Sequence, residues 1–397
     1  MKIVFLAPFG IRPKGTVIAR MLPLASELQI LGHEVTVIVP PYTNPEDSGI
    51  TEIVQGVRLV NVLLPSGGKA MGALQLAWRM FRSARAEKAD LVHLFKPKGY
   101  GGLAAMLHLS LQRLGLRLPP LFLDSDDWEG KGGMNDLHSY STLEKWLFAF
   151  QEGWLSKRAV GVSVASRELQ RLTTQAGVAP ERICYLPNCV SEITPGDGRH
   201  VREKFGIRPE VPVLLLYTRF FEFDQERLYR IFAGILSGVS GVRFLVVGKG
   251  RNREEERLTA AARKMGFDAA LIMAGWIAPQ EIPDYLAAAS VAIYPMDDTL
   301  VNRSKCPAKL TELLLAGLPV VADRVGQTAE YIVDTVSGIL CSPGDTEQMV
   351  DRTVWLLQEP EANRKLASEG RRSLLERFNW REAAQNLDHF YRSLANP

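Results

Sequence analysis

Cysteine is scarce, and its pattern excludes two kinds of scaffold. Cys184, Cys189, Cys306 and Cys341 form no CxxC pair and have no histidine at zinc spacing. Neither a disulfide framework nor a zinc ribbon is available, which fits a cytoplasmic chain carrying a few reduced thiols. Long apolar runs are missing too. No stretch of about 18 uncharged apolar residues exists, so nothing is expected to span a bilayer. The opening MKIVFLAPFG lacks the basic start, apolar middle and small-residue cleavage site of a leader, and reads as a first buried strand. A net charge of +3 is too small to argue for nucleic acid. There is no GxGxxG and no acidic residue at ribose position after the second strand, so a nicotinamide site has little support. Repeats and low-complexity tracts are also missing.

What is present is a globular composition, 46% hydrophobic and 23% charged, in a chain long enough for about two domains. Short apolar runs alternate with helical periods. Lys2–Pro8 suits a strand buried on both faces, Arg20–Leu31 carries apolar residues at helical spacing, and Glu34–Pro40 returns to strand. That is a βαβ unit. The pattern continues through strands at Asp90–Phe95, Leu121–Asp124 and Ala159–Ala165 and a helix near Gly101–Leu114. It stops at the Pro- and Gly-rich stretch from Pro187 to Arg199, which suits a linker. A second series has strand candidates at Val211–Tyr217, Arg243–Val247, Ala270–Ala274, Val291–Tyr294 and Pro319–Ala322. The expected class is α/β, with two Rossmann-like domains at 1–190 and 195–375 facing a central cleft, and a last helix from about Trp380 to Leu394. Ligands of such sheets sit beyond the carboxyl ends of the strands, so chemistry is sought there.

Three loops of the first domain stand out. Gly10–Thr16 follows the first strand; its Gly15 and Thr16 can meet an anionic ligand at a helix start, or merely connect. His93 is followed by Lys96-Pro97-Lys98-Gly99, a basic glycine-rich segment fit for a phosphate or an acceptor, while His93 itself suits packing as well as contact. Asp124-Ser125-Asp126-Asp127 brings three carboxylates into four residues, where one with a raised pKa can serve as acid or base. A metal reading of that run lacks a second ligand cluster, so no metal is expected. The basic amphipathic stretch 69–88, with Leu74, Leu76, Trp78, Met80 and Phe81, either packs on its own sheet or touches an anionic membrane.

The densest signal is the segment from Asn302 to Ala322, NRSKCPAKLTELLLAGLPVVA. A loop with Lys305 and Lys309 opens a helix, and Glu312 sits one turn in on the face of Lys309. Lysines at a helix start suit a diphosphate, and a glutamate there can accept both hydroxyls of a ribose. With GHEVTVIVPP, LVVGKG, AGWIAPQEIPDYLAAASVAIYP and the tail FNWREAAQNLDHFYRSL in this order, the chain resembles glycosyltransferase family 4, the retaining group with the GT-B fold. The likeness spans nearly the whole length and implies a C-terminal segment, 376–397, crossing back to the first domain. By resemblance, Glu312 binds the donor ribose, Gly248 and Gly250 lie against the nucleotide, the backbone at Trp276–Ile277 meets the base, and Arg219 binds the diphosphate. Three departures stand against the family pattern. No lysine follows Arg219 by about five residues, Ser304 stands where a glutamate is usual, and LFLDSDDW carries carboxylates where many relatives have a histidine. Lys305 and Lys309 supply the missing charge, and Asp126 or Asp127 takes the place of the histidine, or activity is altered.

The expected reaction moves a sugar, with retention, from a nucleotide diphosphate sugar to a saccharide or lipid-linked acceptor of cell-surface polysaccharide or glycolipid synthesis. Arg219, Lys305 and helix-end amides meet the leaving diphosphate without a divalent ion or other cofactor. The expected location is the cytoplasm, with the inner membrane face open through residues 69–88. Two rivals remain: a nucleotide-sugar epimerase of the same fold, and an inactive transferase-like scaffold.

Overall fold

In the computed structural model of the chain, residues 1–12, 15–66 and 68–395 are described. They divide into two compact units. The first holds Met1–Cys189, the short segment Ser304–Cys306 and the C-terminal stretch from Trp380; the second holds Val190–Arg303 and Pro307–Asn379.

The first unit is built on strands β1 (Lys2–Leu6), β2 (Glu34–Val39), β3 (Thr51–Val54), β4 (Val57–Asn61), β5 (Leu91–Phe95), β6 (Leu121–Ser125), β7 (Gly161–Val164) and β8 (Ile183–Tyr185). They lie in the order β3-β4-β2-β1-β5-β6-β7-β8. β5, β6 and β7 are buried along their whole length, as parallel strands covered on both faces should be. The chain starts mid-sheet at β1, builds outward to β4 and β3, and then crosses to β5 on the other side. The β1/β5 boundary is therefore a topological switch point. The edge strand β3 pairs antiparallel with β4 through Gln55 and Gly56, whose φ values of 51° and 79° match a hairpin turn with both central residues left-handed.

The helix expected from Arg20 starts differently. Val17–Met21 is wound as a π-helix, which passes directly into the α-helix Leu22–Ile30. Arg20 lies in that wide turn and is buried. The stretch 69–88 forms the helix Lys69–Ala86, and its Leu76, Met80 and Phe81 enter the core with Ala77 and Ala84. Met71, Leu74 and Trp78 stay exposed.

The C-terminal helix Trp380–Ala395 packs in this first unit. Phe390 meets Phe122 edge to face at 5.7 Å, and Asp388 reaches His33 Nε2 at 2.9 Å. Gly161 has no room for a side chain, since a Cβ would come within 2.5 Å of the Phe390 ring. Tyr391 hydrogen-bonds Nδ1 of His93, which lies in the middle of β5. Burial pushes the His93 imidazole down to about 4, so it is a neutral core residue, and the packing alternative holds for it.

The second unit carries β9 (Val213–Tyr217), β10 (Arg243–Val247), β11 (Leu271–Gly275), β12 (Val291–Tyr294), β13 (Val320–Asp323) and β14 (Ile339–Cys341). The order is β11-β10-β9-β12-β13-β14, every pairing parallel. Its switch point lies between β9 and β12. Phe232 stacks on Phe244 at 4.5 Å with Phe267 against both edges, which anchors the helix Gln225–Gly238 to the sheet. Arg227 of that helix binds Asp323 at the end of β13 through two hydrogen bonds of 2.7 and 2.8 Å.

Candidate active site

Register in the second sheet brings three loop starts side by side. Val247 is paired with Tyr217 on one side and with Gly275 on the other, so the segments after β9, β10 and β11 leave the sheet together. After β9, Phe220 holds a left-handed φ of 67° although it is bulky. Its burial in the core and a 2.7 Å bond from its amide to Thr218 Oγ1 keep it there, while Arg219 stays exposed. After β10, Gly248 has φ 127° and presses on the Thr218 carbonyl, where a Cβ would sit at 1.9 Å. Only glycine fits. Glutamates hold the turn that follows, Glu255 accepting from the Gly250 amide at 3.2 Å and Glu254 from the Asn252 amide at 2.7 Å.

The helix Ala308–Leu315 brings two further groups to this edge. The Lys309 ammonium lies over the Tyr217 ring, 3.4 Å from its centre, and the Tyr217 hydroxyl bonds Glu312. Burial and the Glu312 charge hold the Tyr217 phenol far above its usual value. Tyr294, at the end of β12, feels Arg219, Glu312 and Tyr217 alike. One edge of one sheet thus gathers a guanidinium, an ammonium, a carboxylate and two phenols around glycine backbone.

The corresponding edge of the first sheet is a buried ionic network. Arg20 binds Asp124 with two bonds of 2.8 and 2.7 Å, and also reaches the Leu186 carbonyl at 2.7 Å and Asn188 Oδ1 at 3.1 Å. Lys96 Nζ lies 2.8 Å from Asp126, bonds Asp127, and is 3.9 Å from Glu129. Lys98 Nζ holds Glu129 at 2.8 Å and Asn135 Oδ1 at 3.1 Å. Thr16 Oγ1 donates to Asp126 at 3.2 Å. Burial alone would push the Asp126 carboxyl up, but Lys96, Arg20 and Thr16 outweigh it and hold it below its usual value. Beneath these lies Glu152, buried, 3.5 Å from Ser125 Oγ and without a cation of its own. Burial and the neighbouring Glu129 push its carboxyl up to about 8.

Two families match consecutive parts of the chain. Residues 15–189 match the glycosyl transferase 4-like domain, and residues 212–359 match the glycosyl transferases group 1. The chain belongs to the family 4 glycosyltransferases of the GT-B fold. A 2-deoxystreptamine glucosyltransferase of Streptomyces kanamyceticus is 26% identical over 251 residues, 61% of this chain and 63% of that one. A D-inositol 3-phosphate glycosyltransferase of Segniliparus rotundus is 27% identical over 233 residues, 57% of this chain and 50% of that one. The match therefore spans between half and two-thirds of these relatives. Sucrose-phosphate synthase from Thermosynechococcus elongatus superimposes with a TM-score of 0.73 at 17% identity, covering 99% of both chains. Anabaena HepE, solved with UDP and glucose, gives 0.73 at 19%, covering 99% of this chain and 100% of that one. At such identity the likeness speaks for the fold.

Within this chain the expected residues fall into two groups. Arg219, Gly248, Gly250, Lys309 and Glu312 share the carboxyl edge of the second sheet, and Trp276 and Ile277 follow β11 beside them, Trp276 with 70% of its surface exposed. Gly15, Thr16, Asp126 and Asp127 belong to the first unit, so Thr16 stands on an acidic side chain of its own unit. Pro13 and Lys14 of the same loop lie outside the described residues. Lys305 is buried and also belongs to the first unit, within a segment whose Ser304 carbonyl accepts from Ser166 Oγ at 3.0 Å.

One expectation needs correcting. A raised carboxyl is expected within Asp124–Asp127, yet Asp126 is lowered by Lys96, and among the described residues of the first unit the raised carboxyls are Glu129 and Glu152. Among the described residues no group of three His, Cys, Asp or Glu has metal-binding geometry. The sequence pattern does not mark Tyr217, Tyr294, Arg20, Glu129 or Glu152 as site residues. Glu152 left a trace nonetheless: Gln151 and Glu152 are polar residues on the inward stripe of the helix Thr142–Arg158, which also buries Leu155.

Proposed function

We propose that this glycosyltransferase takes a sugar from a nucleoside diphosphate sugar held on the carboxyl edge of the second sheet. The sugar passes, with retention, to a saccharide or lipid-linked acceptor bound by the first unit. The observation that carries the reading is the grouping of Tyr217, Arg219, Gly248, Lys309 and Glu312. Glu312 accepts the ribose hydroxyls, with Tyr217 fixing the orientation of its carboxylate. The tight glycine turn lets backbone amides approach the nucleotide, and Arg219 meets the charge growing on the leaving diphosphate. The relative solved with UDP and glucose supports the donor class by analogy.

In this reading the cations Arg219, Lys309 and Lys305 replace a divalent ion. The Asp126 and Asp127 carboxylates are committed to Lys96, which leaves them poor metal ligands and good acceptors for a sugar hydroxyl. Contact with an anionic membrane would use Met71, Leu74 and Trp78 beside Arg79, Arg82 and Arg85. No helix among the described residues is long and apolar enough to cross a membrane.

The test is release of nucleoside diphosphate from the donor with and without acceptor. A transferase releases it when the acceptor is added, whereas an epimerase interconverts the donor alone. Arg219→Ala and Lys305→Ala should each lower turnover about 10²-fold, the usual loss for one preorganised donor to a developing charge. Full activity in both variants would remove the leaving-group assignment.

A further inference from the structure

Three tyrosines at the carboxyl edge of the first sheet have no part in the reading above. Tyr42 follows β2, Tyr100 lies in the first turn of the helix Gly99–Arg113 after β5, and Tyr140 precedes the helix Thr142–Arg158 after β6. Separate loops carry them, yet they share one neighbourhood. Tyr42 and Tyr100 meet edge to face at 5.3 Å and 71°, and Tyr140 stacks on His138 at 5.2 Å and 27°. The Tyr42 phenol, raised chiefly by burial, is raised further by both Tyr140 and Tyr100. Tyr42 keeps 42% of its surface exposed, and the other two are half-buried, so rings remain open to a ligand.

The polar groups next to these rings decide what kind of ligand fits. Lys98 directly precedes Gly99 and Tyr100, and it is committed to Glu129 and Asn135. Lys96 is committed to Asp126, Asp127 and Glu129. Two ammonium groups therefore face three carboxylates, so neither Lys96 nor Lys98 is available to hold a phosphate. Aromatic rings together with carboxyl groups and phenol hydroxyls suit a molecule with one weakly apolar C–H face and many hydroxyls. We infer that Tyr42, Tyr100 and Tyr140 form the acceptor subsite and that its occupant is a neutral pyranose ring, not a phosphorylated group. This rests on the proposal that the first unit binds the acceptor, and it narrows that acceptor's class. If the acceptor is lipid-linked, its terminal sugar lies here and its phosphates lie elsewhere.

Saturation-transfer NMR on the full chain tests the assignment with methyl glucoside, methyl galactoside and methyl mannoside as neutral probes and glucose 1-phosphate as the anionic one. At least one methyl hexoside should receive saturation at its ring C–H protons. Its affinity should fall about tenfold in Tyr42→Ala and in Tyr100→Ala, the scale of one lost aromatic contact, and stay within about twofold in Tyr42→Phe. UDP binding, measured by calorimetry on the same samples, should be unchanged by the tyrosine substitutions. The inference is overturned if no methyl hexoside binds, if both alanine variants bind it like the wild type, or if glucose 1-phosphate binds more tightly. Hexoside binding in a protein that does not bind UDP would uphold this subsite and remove the donor reading instead.

Discussion

Replacing Glu152 by glutamine should stabilise the protein, and more so as the pH rises. Glu152 is buried in the first unit with no cation of its own and Glu129 beside it, and its carboxyl is pushed up from 4.5 to about 8. The unfolded chain therefore ionises this group across a window, pH 4.5 to 8, in which the folded chain keeps it protonated. An unfolded state that binds fewer protons gains on the folded one as pH rises, so the wild type loses stability through that window. At pH 5 the loss is below about 1 kcal/mol, and by pH 8 it reaches roughly 4 kcal/mol, at about 1.36 kcal/mol per pKa unit. Glutamine keeps the shape of the protonated acid and carries no such dependence. Urea unfolding of both proteins at pH 5 and pH 8 supplies the comparison, since every other titrating group cancels in the difference. The variant should gain roughly 3 kcal/mol relative to the wild type between the two pH values. A variant destabilised equally at both would show that Glu152 is ionised in the folded protein and that the reasoning is wrong.

Arg20→Met leaves Asp124 as an uncompensated buried carboxylate and should lower stability by about 3–5 kcal/mol, read as a fall in the thermal transition of the first unit; Arg20→Met combined with Asp124→Leu should recover much of it. Lys96→Met removes the ammonium that holds Asp126 ionised, so the Asp126 carboxyl should rise. The acid limb of the rate profile should then move to higher pH, and an unmoved limb would exclude Asp126 as the ionised group in the reaction.

Much of the fold could be read from the sequence because its strands are parallel and doubly covered. Apolar runs such as LVHLF in β5, LVV in β10 and VAIY in β12 leave little polar alternation to misread. The elements that escaped lie at or next to the sheet edges. β3 and β4 are half-exposed, and their turn uses Gln55 in a left-handed conformation, where Asn or Asp would have been the stronger cue. β8 and β14 have only three residues each, too few to show a period. In the second unit, helix spacing puts Lys309 and Glu312 on one face, and the family resemblance marks Arg219. Tyr217 was not, since a tyrosine ending an apolar run looks like core until its partner is known. The first unit's network was half legible: the DSDD run announces charge, but which carboxylate is raised depends on Lys96 and Lys98 arriving from a different strand. That is a matter of tertiary pairing, and local sequence cannot carry it.

Calorimetric titration of UDP, GDP and ADP, with their sugar conjugates, into the wild type and into Glu312→Ala tests the donor site most directly. The account predicts that one of these nucleotides binds the wild type and binds Glu312→Ala at least about tenfold more weakly, the worth of hydrogen bonds to a charged group. Equal affinity for both proteins, or no binding of any nucleotide to the wild type, would contradict it.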